Sequence, residues 1–83
     1  MTLDELKVGL AAILAEEESF EPDWERVEFL SNQTYVRLTE PETPQDFPHE
    51  SVVCYLAGFV RRRLDRGFGE QQRCWLRTYL RAS

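Results

Sequence analysis

Histidine and cysteine are scarce in this sequence, and each shortage excludes a class of protein. The 83 residues include one histidine and two cysteines. Two cysteines are too few for the disulfide framework of a small secreted domain. One histidine excludes a metal site with two imidazole ligands, and His49 stands in no recognised ligand spacing. We therefore predict no metal site and no disulfide-stapled fold.

The two cysteines, Cys54 and Cys74, fall in separate predicted helices that are joined by a short turn. If those helices form an antiparallel hairpin, Cys74 lies opposite residue 62 rather than opposite Cys54. That offset corresponds to roughly 12 Å along a helix axis, whereas a disulfide needs Cα atoms within about 7 Å. We expect both thiols to be reduced and to act as packing residues.

Long apolar segments are also missing. The longest mostly apolar stretch, Val8 to Ala15, is about half the length of a membrane-spanning helix. The segment from Met1 to Glu5 is acidic, whereas a signal peptide begins with basic residues. We therefore expect a cytoplasmic protein that does not enter a membrane.

Signatures of catalysis are absent as well. The sequence has no glycine-rich phosphate loop and no nucleophile elbow. Cys54 and His49 would supply a nucleophile and a base, but Cys54 lies inside a predicted helix beside Val53 and Tyr55. A buried, inert thiol is typical of such a position. We predict a protein that is not an enzyme, with no catalytic residues and no cofactor.

The chain does contain enough apolar material for one folded domain. Apolar residues make up 42 % of it and aromatic residues 12 %, which is typical of a globular protein rather than a disordered one. A chain of 83 residues cannot divide this content between two cores, so residues 1–83 are predicted to form a single domain. So small a domain buries a limited share of its surface. Because dimerisation would bury more of it, a homodimer is a further hypothesis.

Helical periodicity is strongest at the N-terminus. Thr2 and Glu5 form a capping-box pattern, in which each side chain accepts a hydrogen bond from the backbone N–H of the other residue. Apolar residues then recur at steps of three and four, as an amphipathic helix requires. They are Leu3, Leu6, Leu10, Ile13 and Leu14. We predict a helix over about residues 2–17.

Two segments rich in β-branched and aromatic residues follow, residues 24–30 and residues 34–39. A turn at Asn32 and Gln33 would bring them together in one register that satisfies both faces of a sheet. The resulting pairs, the first two on an apolar face and the last two on the outer face, are Val27 with Leu38, Phe29 with Val36, Leu30 with Tyr35, and Glu28 with Arg37. We predict an antiparallel β-hairpin over about residues 24–39.

Proline and glycine divide the remaining sequence into a loop over residues 40–47, a helix over about residues 48–66 and a helix over about residues 70–81. The second helix would end at Gly67-Phe68-Gly69. Its predicted buried stripe is Val52, Val53, Leu56, Phe59, Val60 and Leu64. The predicted fold is therefore α+β, in the order α-β-β-α-α, with a two-stranded antiparallel hairpin packed with three helices.

Charge is divided unevenly along the chain. The first 50 residues carry thirteen carboxylates against three basic side chains, a net charge of −10. From residue 51 onward seven arginines stand against two carboxylates, a net charge of +5. Nine of the ten basic residues are arginine, whose planar guanidinium suits bidentate contacts with carboxylates and phosphates.

Helical spacing would align the arginines of the second half. Three of them step by four on the last predicted helix and two on the helix before it, so each set occupies one helix face. Our leading hypothesis is a small non-enzymatic protein-binding module, an adaptor, regulator or inhibitor, that meets an acidic partner. The predicted contact residues are Arg62, Arg66, Arg73, Arg77 and Arg81 and, on the outer face of the hairpin as a second contact or dimer seam, Leu30 and Tyr35.

Three alternatives use the same charges differently. The arginines would also suit nucleic acid, although a pI near 4.8 opposes DNA binding. An acidic cluster in the first half would suit mimicry of nucleic acid, as in an inhibitor of a nucleic-acid-binding or defence complex. In the third alternative, the acidic and basic halves of the chain neutralise each other within the molecule, or their charged side chains only keep its surface hydrated. The acidic cluster consists of Glu16, Glu17, Glu18, Glu21 and Asp23.

Overall fold

The computed structural model describes residues 1–82, and within them the chain is built from α-helices without a β-strand. The helices of this range are α1 (Leu3–Glu17), α2 (Trp24–Leu38), α3 (His49–Ala57), α4 (Phe59–Leu64) and α5 (Arg66–Arg81). The predicted α+β fold is therefore wrong, because the segment expected to form a hairpin is helix α2. No helix in residues 1–82 has the length and apolar character needed to cross a membrane.

Helix α1 begins where the capping box predicts. The Thr2 hydroxyl accepts a hydrogen bond from the backbone N–H of Glu5 at 3.1 Å, and the Glu5 carboxylate accepts one from the backbone N–H of Thr2 at 3.1 Å. This reciprocal cap satisfies two backbone donors that the first turn of a helix leaves without partners. The buried face of α1 consists of Leu6, Leu10, Ile13, Leu14 and Glu17. An apolar stripe therefore ends in a buried carboxylate.

Helix α2 replaces the predicted hairpin because its buried positions follow a helical period. Asp23 caps the first turn by accepting hydrogen bonds from the backbone N–H groups of Glu25 and Arg26 at 3.1 and 3.2 Å. The buried residues step by four, three and four: Val27, Ser31, Thr34 and Leu38. Phe29 and Val36, expected to pair on an inner sheet face, are each 62 % exposed on the outer face of the helix.

An ion pair near each end shows that α2 runs antiparallel to α1. Arg37, near the end of α2, contacts Glu5, near the start of α1, with a distance of 2.6 Å between guanidinium nitrogen and carboxylate oxygen. Arg26, near the start of α2, lies 3.5 Å from Glu16, near the end of α1. The packing of α1 on α2 is the most extensive helix–helix contact in the described chain.

The predicted helix over residues 48–66 is divided at Gly58 into α3 and α4. Gly58 adopts φ −92° and ψ 10°, and its N–H donates to the carbonyl of Tyr55 in a turn tighter than an α-helix. The break changes which face of α4 meets the core. Val60 and Leu64, predicted to be buried, are 58 % and 80 % exposed, and Arg62 takes the buried position instead.

Helix α5 begins at Arg66, four residues earlier than predicted. Asp65 caps it by accepting a hydrogen bond from the backbone N–H of Phe68 at 3.0 Å. Gly67-Phe68-Gly69 therefore lies in the first turn of a helix instead of ending one. Gly69 makes the close packing of α5 on α4 possible, because a Cβ at this position would lie 2.9 Å from the backbone carbonyl oxygen of Arg62.

The core is formed by α1, α2, α3 and α5, and α4 packs against its edge. Its buried apolar residues are Leu6, Leu10, Ile13, Leu14, Val27, Leu38, Val52, Tyr55, Leu56 and Leu76. Trp24 of α2 and Phe59 of α4 pack against this cluster while remaining partly exposed. The two rings therefore connect the core to the surface between α2 and α4.

Candidate binding surfaces

Three consecutive glutamates at the end of α1 reach three different neighbours. Successive residues of a helix point about 100° apart, so Glu16, Glu17 and Glu18 together span about 200° around the axis. Glu16 faces Arg26 of α2, and Glu18 faces Arg77 of α5. Glu17 enters the core between them. These three glutamates therefore connect α1 to α2, α4 and α5 through ion pairs.

Glu17 belongs to a buried ion network. Its two carboxylate oxygens accept hydrogen bonds from Nε and Nη2 of Arg62, each at 2.9 Å, so this pair is bidentate. The Tyr55 hydroxyl donates to Glu17 Oε2 at 3.0 Å, and Arg73 donates from Nη1 to Glu17 Oε1 at 3.2 Å. The side chains of Glu17 and Arg62 are inaccessible to solvent, and that of Arg73 is 15 % exposed.

Arg62 is the largest fully buried side chain in the described chain. Its guanidinium carbon lies 3.8 Å from the centre of the Tyr55 ring, and its Nη1 donates to the Tyr55 carbonyl. Burial and then the charge of Glu17 raise the pKa of Tyr55 well above its usual value. The network supplies partners for charges whose burial would otherwise be strongly unfavourable.

A second, more exposed ion cluster lies on α5. Arg77 donates hydrogen bonds to Glu18 and, at 2.6 Å, to Glu70. The bonds to Glu70 and Glu18 raise the pKa of Arg77, and the bond from Arg77 lowers the pKa of Glu70. Glu70 also lies 3.6 Å from Arg73. The two ion clusters are therefore continuous.

The five arginines predicted to form one surface have different environments. Arg62 is buried, and Arg73 and Arg77 pair with carboxylates of α1 and α5. Arg66 and Arg81 are exposed and form no ion pair within residues 1–82. Internal neutralisation, one of the alternatives from the sequence, therefore describes three of the five. The arginine row does not exist as a free surface.

Leu30 and Tyr35, predicted to face each other across a hairpin, are separated by helix α2. Residues five apart on a helix point about 140° from each other. Leu30 packs against the core, whereas Tyr35 is 45 % exposed. The predicted hairpin face is therefore not assembled, and these two residues do not form one contact surface.

The acidic cluster is divided in the same way. Glu16, Glu17 and Glu18 each face an arginine, and Asp23 is the cap of α2. Glu21 alone of the five is exposed without an ion pair or a capping role in the part of the chain that the structure describes. A continuous anionic surface is therefore not present at this end of the molecule.

Cys54 and Cys74 are free thiols, as predicted, but both are exposed rather than packed in the core. Cys54 and His49 lie five residues apart on α3, so their side chains point about 140° from each other and do not form a nucleophile–base pair. The His49 ring lies instead 5.4 Å from the ring of Phe47. Residues 1–82 contain no group of three side chains able to hold a metal ion.

A groove lies between α2 and α4, and the sequence pattern did not predict it. This α2–α4 groove has a volume of about 320 Å³. The partly buried rings of Trp24 and Phe59 line it, together with the exposed side chains of Val60 and Leu64. The break at Gly58 creates the exposed apolar side, because it turns Val60 and Leu64 away from the core.

The two walls of the α2–α4 groove carry opposite charges. Glu25 and Glu28 line it from α2, and Arg63 lines it from α4. All three are exposed and form no ion pair within residues 1–82. Arg66, two residues beyond Leu64 and outside the lining of the groove, is a further exposed arginine. An apolar centre with a charged rim is the usual anatomy of a protein-binding surface.

The fold and its surfaces define a small helical domain with a buried ion network and, among its surface grooves, an α2–α4 groove that is both apolar and charged. Comparisons with protein-family models, with curated proteins and with solved structures find no match to this chain. Its function is therefore inferred from the chemistry of its surfaces.

Proposed function

We propose that this chain is a small non-enzymatic protein-binding module that docks a segment of a partner protein in the α2–α4 groove. The observation that carries the proposal is the 80 % exposure of Leu64, beside Val60 and the rings of Trp24 and Phe59. Contiguous exposed apolar groups mark interaction sites. Tryptophan and arginine, both present here, are enriched among residues that contribute most to binding.

The partner segment should be apolar at its centre and acidic on the side that meets α4. Arg63 and Arg66 attract carboxylates at that side, whereas Glu25 and Glu28 repel them from the opposite wall. This polarity would orient the segment within the groove. The acidic partner inferred from the sequence is retained, while the contact arginines become Arg63 and Arg66.

We do not propose nucleic acid as the partner of this chain. Binding along a phosphate backbone needs several free cationic groups on one face. In the predicted row, Arg62, Arg73 and Arg77 are paired with carboxylates, and the remaining two, Arg66 and Arg81, lie at opposite ends of α5.

We likewise do not propose that the acidic cluster mimics nucleic acid. Glu17 is buried and Glu18 is bonded to Arg77, so Glu21 is the one carboxylate of the acidic cluster left free in residues 1–82, which is too few for a basic groove to recognise.

We also infer a cytoplasmic setting for the module. Cys54 and Cys74 are exposed free thiols, and a reducing compartment preserves such thiols, whereas an oxidising one promotes disulfide exchange. Directing the chain to an oxidising compartment should therefore produce disulfide-linked species. An unchanged thiol content after such export would contradict the inference.

Affinity capture from a lysate of the native host, followed by mass spectrometry, tests the docking surface. Leu64→Asp places a charge on the apolar side of the groove, and Arg63→Glu reverses its basic wall. Both variants should lose the proteins that the wild-type chain retains through the groove. Arg81→Glu is the matched control, because it reverses an exposed arginine at the far end of α5, about 22 Å along that helix from Arg66.

Each variant should keep the circular dichroism spectrum and the thermal midpoint of the wild type, because the replaced side chains are exposed. Retention of the same proteins by wild type, Leu64→Asp and Arg63→Glu would remove the proposal. So would loss of those proteins in Arg81→Glu to the same extent as in Arg63→Glu, because capture would then depend on charge alone.

A further inference from the structure

Phe20 is the most exposed large apolar side chain in the described chain, at 99 %. It lies in the connection between α1 and α2, residues 18–23, and is followed by the exposed carboxylate of Glu21. A ring left entirely in water gains no stabilisation from the fold that carries it. Its place on the surface therefore suits a contact outside its own molecule.

The connection that carries Phe20, hereafter the Phe20 loop, is held at both ends. At its start, the Ser19 hydroxyl donates to the backbone carbonyl of Glu16 at 2.8 Å. At its end, Asp23 accepts from two backbone N–H groups of α2. Hydrogen bonds at both ends limit the conformational freedom of the loop backbone, which lowers the entropic cost of binding.

The α2–α4 groove adjoins this loop. Trp24, which lines the groove, is the first residue of α2 and comes four residues after Phe20. Phe20 does not occupy the groove of its own molecule, because it remains 99 % exposed. One chain therefore carries, a few residues apart, an apolar groove and an exposed ring.

The chemistry of the Phe20 loop matches that of the groove. The loop offers an aromatic ring with a free carboxylate, Glu21, as the next residue. The groove offers an apolar centre with a free guanidinium, Arg63, on its α4 wall. Opposite charges beside complementary apolar surfaces favour association and fix its orientation.

We infer that the α2–α4 groove accepts the Phe20 loop of a second copy of this chain, which forms a symmetric dimer. The inference rests on the groove being the docking surface of the proposed function. A two-fold axis places each loop in the groove of the other molecule, and such an exchange closes at two copies. In that arrangement Arg63 of each molecule meets Glu21 of the other.

A second copy also suits the size and polarity of the surface. The loop brings a single free carboxylate next to its ring, so Glu21 approaches Arg63 while Phe20 enters the apolar centre of the groove. The described chain exposes 5498 Å², and a standard interface takes about 800 Å² from each partner. Because a two-fold interface contains two loops and two grooves, each molecule contributes to the buried area twice.

Analytical ultracentrifugation of the full chain from micromolar to millimolar concentration tests the dimer. The wild type should dimerise, and Phe20→Ser and Leu64→Asp should each remain monomeric. Val36→Ser is the control, because it removes another exposed apolar side chain at the opposite end of α2 and should leave the dimer unchanged. A wild type that stays monomeric throughout, or a dimer that Phe20→Ser does not weaken, would overturn the inference.

A charge exchange tests the predicted contact between Glu21 and Arg63. Glu21→Arg or Arg63→Glu alone should weaken the dimer about tenfold. The double variant restores opposite charges and should dimerise within about threefold of the wild type. A double variant weaker than either single variant would show that the two residues do not meet, which contradicts the two-fold exchange.

Phe20→Ser also separates this inference from the proposed function. Phe20 lies outside the groove, so monomeric Phe20→Ser protein keeps an open groove and should capture host partners at least as well as the wild type. Loss of the dimer with capture retained supports both conclusions. A monomeric wild type whose capture is still abolished by Leu64→Asp overturns the dimer while the docking module stands.

Discussion

The carboxylate of Glu17 and the guanidinium of Arg62 share two hydrogen bonds of 2.9 Å each, in a region closed to solvent. One residue ends the buried stripe of α1, and the other is the buried residue of α4. The pair therefore joins the first half of the chain to the second through the core. Arg73 of α5 pairs with the same carboxylate, so a third helix is joined to the network.

Replacing Glu17 by glutamine should destabilise the fold more than any comparable change at the surface. Glutamine keeps the size of the side chain but removes its charge, which leaves the buried Arg62 without a counter-ion. We expect the free energy of unfolding to fall by about 3–5 kcal/mol, measured by urea denaturation. Glu18→Gln is the control, because its partner Arg77 is partly exposed, and it should cost less than about 1 kcal/mol. Equal losses in both variants would contradict this role for Glu17.

Replacing Ser31 by alanine should stabilise the protein. The Ser31 hydroxyl is buried on α2 without a hydrogen-bond partner in residues 1–82, and a buried polar group without a partner is unfavourable. We expect a gain of about 1 kcal/mol in the free energy of unfolding. Ser51→Ala on the exposed side of α3 is the control for helix propensity and should gain less. Equal gains in the two variants would contradict the burial of an unpaired Ser31 hydroxyl.

Capping and periodicity were sufficient to predict α1, because its buried face is leucine and isoleucine up to Glu17. They failed for α2 because Ser31 and Thr34 occupy half of its buried stripe. Without that stripe, the β-branched and aromatic residues of the segment favoured strands. Packing against α1 outweighs this local preference, as tertiary contacts commonly do.

The binding surfaces could be predicted only in part, because contacts between residues far apart in the sequence decide which side chains remain exposed. Helical spacing places Arg73 and Arg77 on one face of α5, but it cannot show that a carboxylate more than fifty residues earlier pairs with each. The position of Arg62 depends on the break at Gly58, which a continuous helical pattern conceals. The same break exposes Leu64, so the groove was missed for the same reason.

Acid should destabilise the fold through carboxylates that pair with arginine. The hydrogen bond from Arg37, followed by that from the Thr2 backbone, lowers the pKa of Glu5 from 4.5 to about 2. Because the folded-state pKa is lower, this contribution to stability is present above pH 4.5 and is lost as the pH falls towards 2. Glu70, whose pKa Arg77 lowers, acts in the same direction.

Glu5→Gln tests this dependence. The variant should have a lower thermal midpoint than the wild type at neutral pH, because the charge pair with Arg37 is lost. The difference between the two proteins should shrink between pH 4.5 and about 2, as the wild-type carboxylate becomes protonated. A difference that stays constant over this range would show that the titration of Glu5 does not contribute to acid unfolding.

Alkali should destabilise the fold through Tyr55. Its pKa is raised by burial and by the charge of Glu17, so the folded protein retains the phenol proton above pH 10, where the unfolded chain releases it. Release favours the unfolded state, and stability therefore falls as the pH rises above 10. Tyr55→Phe removes this titration together with the hydrogen bond to Glu17.

Urea denaturation of wild type and Tyr55→Phe at about pH 8 and about pH 11 measures the effect. The variant should be less stable at the lower pH, by about 1.5–3 kcal/mol for a hydrogen bond to a charged group. It should lose less stability than the wild type between the two pH values, because it has no phenol to ionise at this position. Tyr79→Phe is the comparison, since burial and then the charge of Asp46 also raise the pKa of Tyr79. An equal loss of unfolding free energy between the two pH values in wild type and Tyr55→Phe would show that the Tyr55 hydroxyl is accessible to water. The network around Glu17 would then be exposed to solvent rather than buried.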